Sequence, residues 1–456
     1  MRRITRRLGL LAVAVPAAVL PIVMLVSGAQ GAERSEAHTA PAGGRAGAAL
    51  PAGTHWVGTW AAMPQLTEPG NMPPAPYTQD GTVFADSTLR QTVHVSVGGS
   101  HLRLRFSNAF GGAPLPITRV SVALPVDGRA GVSAIRPGTS RPVTFHGRAS
   151  TTVPTGAHVV SDPLDFKLAA GSNLTVTAYL ATGQQSTAIT SHPGSRTTSY
   201  MLRGDHVEAT DLAGAASADH WYFLSGVETW SPARTRATAV LGDSLTDGRG
   251  STTNQNDRWT DRLMARLRTD RRTADTAVLN QAAGGNRVLT DGLGPNGLSR
   301  VDRDVLVQPG VTSLIVFEGV NDIGTAPATP DAQKDVADRL IAAYDQIVMR
   351  AHAQGIRVYG ATITPFGGNR DYDDTAGHRE ATRQRVNDWI RTSGRFDAVV
   401  DLDRAARDTD DPRRLRPDLD VGDHLHFNPE GYRVLGDAFP LDLFVNRPLP
   451  PGFGYN

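Results

Sequence analysis

The chain contains no cysteine. That absence removes disulfide staples, thiolate nucleophiles, iron–sulfur clusters and cysteine zinc sites together. A surplus of one charge is lacking too: 46 Lys and Arg against 45 Asp and Glu leave a formal +1 at pH 7. Such a balance gives no case for a nucleic-acid partner. Four of the positive charges (Arg2, Arg3, Arg6, Arg7) lie in the first seven residues, and losing them takes the formal charge from +1 to −3. Beyond Val26 no apolar run approaches the length needed to span a bilayer. H-E-x-x-H is absent, as is the G-x-S-x-G elbow of the α/β-hydrolases. What remains is a chain of 456 residues, enough for two or three domains held by core burial alone.

The N-terminal arginines precede an apolar run from Leu8 to Val26, followed by small residues through Ala32. A basic segment, an apolar segment and a small-residue exit make a secretory signal, expected over residues 1–32. Thr5-Arg6-Arg7 also suits twin-arginine export. Pro16 and Pro21 inside the run favour cleavage over retention as an anchor. A secreted protein without a stable membrane anchor is therefore expected. Residues 33–53, rich in Ala, Gly, Pro and charge, read as a flexible linker.

From Thr54 to Trp230 the pattern is that of short strands. Thr92 to Val97 alternates polar and apolar, Gly98-Gly99 makes a turn, and Leu102 to Phe106 resumes the alternation. A hairpin with one buried face is expected there. Val120–Leu124 and Leu174–Leu180 repeat the period of two, with turn-forming clusters between the runs. An antiparallel β-sandwich of jelly-roll-like type is expected over residues 54–230.

Over residues 231–456 the pattern changes. Continuous apolar runs at 237–241, 277–279, 311–317, 356–363 and 398–402 alternate with helical periodicity at 257–267, 331–353, 380–391 and 430–439. Strands buried on both faces, separated by helices, imply a parallel sheet covered on both sides. In such sheets the chemistry gathers beyond the carboxyl ends of the strands. Ser244, Gly285 and Asn321 each follow one of these runs, and Asp423-His424-Leu425-His426 precedes the last helix.

Acyl transfer needs a hydroxyl nucleophile, an imidazole to take its proton, and a carboxylate to hold the imidazole in the right tautomer. It also needs preorganised donors for the developing oxyanion. Ser244, His426 and Asp423 supply the first three, and the Gly285 N–H and the Asn321 amide supply donors. These residues resemble a known family. Gly242-Asp243-Ser244-Leu245 is similar to the signature of the GDSL, or SGNH, hydrolases. Gly285 within Asn280 to Asn286 matches the family's second block, Gly319-Val320-Asn321-Asp322 its G-x-N-D block, and Asp423 with His426 its D-x-x-H block. The four blocks stand in order between about Arg236 and Phe444. The resemblance implies a three-layer α/β/α flavodoxin-like fold, no metal or other cofactor, and an oxyanion hole made of the Ser244 N–H, the Gly285 N–H and the Asn321 side chain.

Blander roles exist for each residue. Ser244 could cap a helix, Asn321-Asp322 and Gly284-Gly285 could be turns, and Asp423 and His426 could be surface residues near a helix start. Asp243, beside the nucleophile, is expected only to position. His424, two residues from His426, could ligate a metal with it, although no third ligand is apparent. Gly292 to Gly297 matches G-x-G-x-x-G, but it follows a polar loop and contains Pro295, against a dinucleotide site. Trp56, Trp60, His94 and Tyr200 could line a sugar site or belong to a core. A β domain ahead of such a hydrolase resembles, less specifically, the secreted acylhydrolases and arylesterases related to xylanolytic enzymes, which implies an acylated polysaccharide as substrate. The expected activity is hydrolysis of small-molecule or polysaccharide esters, with short acyl groups on carbohydrate or aryl alcohols. A lipid esterase of the same mechanism is the nearest rival, and a carbohydrate-binding protein without turnover the more distant one.

Overall fold

The computed structural model of the chain describes residues 53–445. The expected signal (1–32) and all but the last residue of the expected linker lie outside the described residues. The described residues fall within one compact unit.

The C-terminal sheet has five strands in the spatial order Thr276–Asn280, Arg236–Gly242, Val311–Phe317, Arg357–Ala361, Ala398–Val400. Every pairing is parallel. The strand that comes first in this region is thus second in space, which is the flavodoxin-like 2-1-3-4-5 order. All seven residues of Arg236–Gly242 are buried, as a strand covered on both faces requires. The chain leaves this strand to one side through the helix Trp259–Thr269, and later moves to the other side through Pro330–Ala353 and His378–Thr392. Because such crossovers are right-handed, opposite directions of travel place these helices on opposite faces of the sheet. Trp259–Thr269 packs with Pro429–Asp437, and Pro330–Ala353 with His378–Thr392. Strand order reverses at Arg236–Gly242, so a crevice opens beyond its carboxyl end. The helix expected at 331–353 is one residue longer at its start, where Thr329 caps it and Pro330 takes the first position.

The N-terminal part is antiparallel. One sheet pairs Thr54–Ala61, Leu224–Pro232 and Gly99–Ser107, with His158–Val160 and Leu164–Leu168 also on Gly99–Ser107; another runs Ala216–Ala218, Ser199–Arg203, Ser87–His94, Asn173–Leu180, Arg119–Ala123, Arg141–Val143. Leu102, Leu104 and Phe106 of the first share one core with Leu89, Val93, Leu174 and Val176 of the second.

The hairpin expected across Gly98-Gly99 is not formed. Ser87–His94 and Gly99–Ser107 belong to different sheets, and each pairs with other strands. Ser87–His94 is buried on both faces along nearly its whole length, with Arg90 fully enclosed and bonded to Thr177 Oγ1 and to the Ser133 and Ala209 carbonyls. Instead of folding back, Val95–Gly98 carries the chain from sheet to sheet along the parallel sheet's edge. There Ser96 Oγ donates to the Val278 carbonyl (2.9 Å) and accepts from the Val278 N–H (3.1 Å). Thr54–Ala61 packs against the edge strand Thr276–Asn280, and Val57, Ala61 and Val97 join the core of the parallel-sheet region. A sheet edge that could template association is thereby covered.

The crossing is tight. A Cβ on Gly98 would stand 2.4 Å from the Leu168 carbonyl oxygen and 2.9 Å from the Ala170 nitrogen. Gly98→Ala should therefore cost about 1–3 kcal/mol, as overpacking against backbone does. Gly70→Ala, where a Cβ meets nothing within 4 Å, should be near neutral. Urea unfolding midpoints of the two variants check the difference, and equal midpoints would refute it.

Candidate active site

Arg236–Gly242 ends at the crevice, and the next residue turns the chain. Asp243 is the N-cap of the short helix Ser244–Asp247, its Oδ1 accepting the Leu245 N–H at 2.9 Å. The capping role open to Ser244 is thus filled by its neighbour, which leaves the Ser244 hydroxyl free for other partners. Burial pushes the Asp243 carboxyl well above the usual range, and the nearby Glu318, Asp322 and Asp247 push the same way. A buried acid locked into a cap has no reach to a reacting group, so the positioning expected of Asp243 fits its place.

Ser244 Oγ lies 2.9 Å from His426 Nε2. On the far side of the ring, Nδ1 lies 2.6 Å from Asp423 Oδ2. The other Asp423 oxygen accepts the backbone N–H groups of Leu425 (3.0 Å) and His426 (2.8 Å). Ser244 and His426 are buried, 7% and 6% exposed, so the contact between them is shielded from competing water. Desolvation pulls the His426 pKa below its ordinary value, against the opposing pull of Asp423. Desolvation works against the Asp423 carboxylate as well, but the hydrogen bonds and charge of His426 and the Leu425 N–H outweigh it and hold its pKa low. A neutral imidazole beside an ionised carboxylate is the protonation state that lets Nε2 accept a proton.

Gly285 and Asn321 stand at the same crevice. Gly285 has φ +71°, and a Cβ there would come within 2.5 Å of Leu293 Cδ1, so the turn requires glycine. Neither the Gly285 N–H nor the Ser244 N–H meets an acceptor among the described residues. Asn321 Nδ2 donates to the Asn286 carbonyl at 2.8 Å, which fixes which way the amide faces. Its Oδ1 then accepts from the Tyr372 hydroxyl at 2.6 Å, and one amide N–H remains uncommitted. Asp322, beside it, accepts the N–H groups of Val288 and Leu289 and is pushed up by burial to about 6. Its work is to hold the loop that carries Gly285. The crevice holds a cavity of about 570 Å³ lined by Ser244, His426, Gly285 and Asn321. All five residues named from the sequence are thus brought together.

His424 points elsewhere. Its side chain is exposed and pairs with Asp420 at 2.8 Å, not with a site shared with His426. Among the described residues no group of three or more His, Cys, Asp or Glu could hold a metal. The four candidate sugar-site residues do not converge on the cavity. Trp60 stacks edge-on against Trp221, Trp56 against Trp230, His94 bonds Asn173, and the Tyr200 hydroxyl donates to the Gly131 carbonyl. The glycine-rich 292–297 stretch packs on the loop that carries Gly285: Asn286 Nδ2 donates to the Leu293 and Pro295 carbonyls, and Leu293 reaches the cavity.

Sequence reading missed several contributors. Tyr372 orients Asn321 from a loop with no motif of its own. Gln65, Glu68, Asn71 and Arg196, all from the antiparallel part, line the same cavity. Arg300, fully buried, donates to Asn286 Oδ1 and to the Gln281 and Gly242 carbonyls, tying the loop that carries Gly285 to the end of the strand before Ser244.

A doubly wound parallel sheet with a Ser–His–Asp array at its switch point defines an SGNH-type hydrolase fold. Residues 240–434 match the GDSL-like lipase/acylhydrolase family, and this region of the chain is a domain of that family. Three solved structures are similar to it. An acetyl xylan esterase, AlAXEase, is 20% identical over 44% of this chain and 96% of its own, with a TM-score of 0.35. A carbohydrate acetylesterase from Sinorhizobium meliloti is 17% identical over 45% and 96%, with a TM-score of 0.33. A GDSL-like lipase from Bacteroides thetaiotaomicron is 15% identical over 44% and 85%, with a TM-score of 0.32. No curated protein matches the chain.

The array sets a pH dependence. His426 accepts a proton only when neutral, and desolvation has lowered its pKa. The acidic limb of kcat/KM should therefore have its midpoint below the ordinary imidazole value of about 6.5. A limb centred above that value in a pH–rate profile would show that Asp423 outweighs burial.

Proposed function

We propose that the protein is a secreted serine esterase that hydrolyses carboxylic esters through an acyl-enzyme on Ser244. The observation that carries this reading is the unbroken Ser244–His426–Asp423 chain of hydrogen bonds at the mouth of the cavity. Ser244 Oγ attacks the ester carbonyl carbon while its proton passes to His426 Nε2. The carbonyl becomes an oxyanion, received by the Ser244 N–H, the Gly285 N–H and the free Asn321 amide N–H. His426 then gives the proton to the leaving alcohol as the C–O bond breaks, which leaves the acyl group on Ser244. A water molecule repeats the sequence: His426 takes its proton, the acid is released and Ser244 Oγ recovers its hydrogen. Asp423 keeps Nδ1 as the donor and stabilises the transient imidazolium.

The substrates we propose are short-chain, chiefly acetyl, esters of carbohydrate or aryl alcohols. Support comes from the cavity wall, where Gln65, Glu68, Asn71, Arg196 and Arg249 present amide, carboxylate and guanidinium groups suited to a hydroxyl-rich alcohol. The lipid-esterase reading has Leu293 and Leu425 in its favour, the two leucines of the same cavity. A carbohydrate-binding role without turnover leaves the assembled array without a purpose. We read residues 54–230 as a β-sandwich of jelly-roll-like type, because its two main antiparallel sheets share one core, and residues 231–456 as the hydrolase. Export of the chain, directed by the basic and apolar residues 1–32, is part of the same proposal.

Ser244→Ala should lose nearly all turnover while unfolding at the same temperature as the parent. An equally active variant would remove the nucleophile assignment. Asn321→Ala should slow kcat by about a hundredfold or more if its amide serves the oxyanion, and an unchanged kcat would give it to structure alone. Rates on aryl acetate against aryl decanoate, with acetate release from acetylated xylan and pectin measured beside them, separate the short-chain reading from the lipid one. Faster decanoate hydrolysis would reverse it.

A further inference from the structure

Asp247 is the last residue of the short helix that begins at Ser244. It is buried, and its two carboxylate oxygens face different parts of the molecule. Oδ2 accepts the N–H of Gly284 at 3.0 Å, so the nucleophile helix holds the residue immediately before Gly285. Oδ1 lies 2.9 Å from Nε2 of His192, which belongs to the antiparallel part and is itself buried.

His192 sits on the strand Thr190–His192, between Gln65–Leu66 and Trp221–Tyr222. Its other ring nitrogen, Nδ1, lies 3.0 Å from the Met63 carbonyl oxygen. The ring is thus bonded at both nitrogens, to a backbone carbonyl on one side and to the Asp247 carboxyl on the other. Trp221 stacks on it at 5.7 Å and 26° between planes.

The segment after His192 closes around the same carboxylate. A Cβ on Gly194 would stand 1.7 Å from Asp247 Oδ2, so only glycine fits there. Arg258 Nε donates to the Asp247 carbonyl at 2.8 Å, while its Nη2 donates to the Ser195 and Gly194 carbonyls. Asp247 is thus gripped at side chain and backbone by residues 192–195 and by Arg258.

From this geometry we propose that His192 is a positioning residue of the esterase: through Asp247 it fixes the Gly284–Gly285 turn against the nucleophile helix and so sets the oxyanion hole. The proposal rests on the esterase reading above. It makes the antiparallel part a component of the catalytic centre in addition to a wall of the cavity. His192 touches no reacting atom. Its effect falls on the transition state, where the Gly285 N–H must meet the oxyanion, and it leaves ground-state binding of the ester nearly untouched.

The test uses the whole protein with p-nitrophenyl acetate, and a fluorophosphonate probe that phosphonylates an activated serine. His192→Ala should lower kcat at least about tenfold, part of the hundredfold or more that losing an oxyanion donor outright brings. KM should stay within about twofold, and phosphonylation of Ser244 should slow in parallel. His192→Gln, which keeps a donor toward Asp247, should recover part of the rate, and Asp247→Asn, which keeps the volume but loses an acceptor, should repeat the loss. The glutamine and asparagine variants decide the matter if the alanine variant does not fold. Folded variants with parental kcat and phosphonylation rates overturn the proposal, as does a loss confined to KM. A parent protein that neither turns over nor is labelled overturns the esterase reading itself, a distinguishable result.

Discussion

A serine hydroxyl attacks an acyl carbon only if its proton can leave in the same motion, and in the proposed reaction the acceptor is 182 residues away in the chain. The fold must therefore deliver His426 to Ser244 within hydrogen-bond distance and keep it there. Several bonds do so. The Asn369 amide donates to the Asp423 carbonyl, the Val421 N–H to the His426 carbonyl, and Asn428 Nδ2 to the Asp418 and Asp420 carbonyls. The Tyr432 hydroxyl, from the helix that follows, donates to the Arg249 carbonyl just past the nucleophile helix. The base is thus pinned from the loop before it, from the helix after it and from the nucleophile's own neighbourhood. Such over-determination holds reacting atoms in register without help from substrate.

Rigidity beneath the crevice is obtained at electrostatic cost. Glu318 is driven by burial to about 7 and Asp322 to about 6, while Arg300 is wholly enclosed. Breaking up such a group leaves an uncompensated charge inside the protein, so its members are harder to lose than their net stabilisation implies. What they provide is geometry. Arg300 binds the carbonyl of Gly242, at the end of its strand, and that of Gln281, in the loop after Thr276–Asn280, and Asp322 binds N–H groups beyond Gly285. With no cysteine in the chain, crosslinks of this polar kind take the place that disulfides hold in other proteins.

How legible all this was depended on the range of the interaction. The parallel strands could be read because a strand buried on both faces must be apolar throughout, a local property of residues such as Ala237–Leu241. Ser244, Gly285, Asn321, Asp423 and His426 could be read because each lies just beyond a strand or helix boundary with a family block around it. The supposed hairpin at Gly98-Gly99 could not, because alternation and a glycine turn look the same whether the chain folds back or crosses to another sheet. Only the partners differ, and they come from Asn173–Leu180 and Leu224–Pro232. His192, Tyr372 and Arg196 carried no signal either. A lone histidine on a three-residue strand has no period and no motif, and its meaning lies in a contact with Asp247 that topology alone supplies.

The antiparallel part and the hydrolase cannot be treated as passenger and engine. Thr54–Ala61 and Ser96 cover the edge strand Thr276–Asn280, and that strand leads directly into the loop carrying Gly284 and Gly285. The same loop is held from the other direction through Asp247 and His192. One interface therefore does two things: it removes an exposed sheet edge, and it holds the turn that carries the proposed oxyanion donors. A substitution that loosens the interface acts on both together, because the chain between Asn280 and Gly285 is too short to absorb a displacement of the strand. The coupling also explains why the cavity is lined from both parts. Where the loop of the proposed oxyanion hole is set by a neighbouring layer, the surface of that layer is the nearest available wall for the alcohol half of the ester in the proposed reaction.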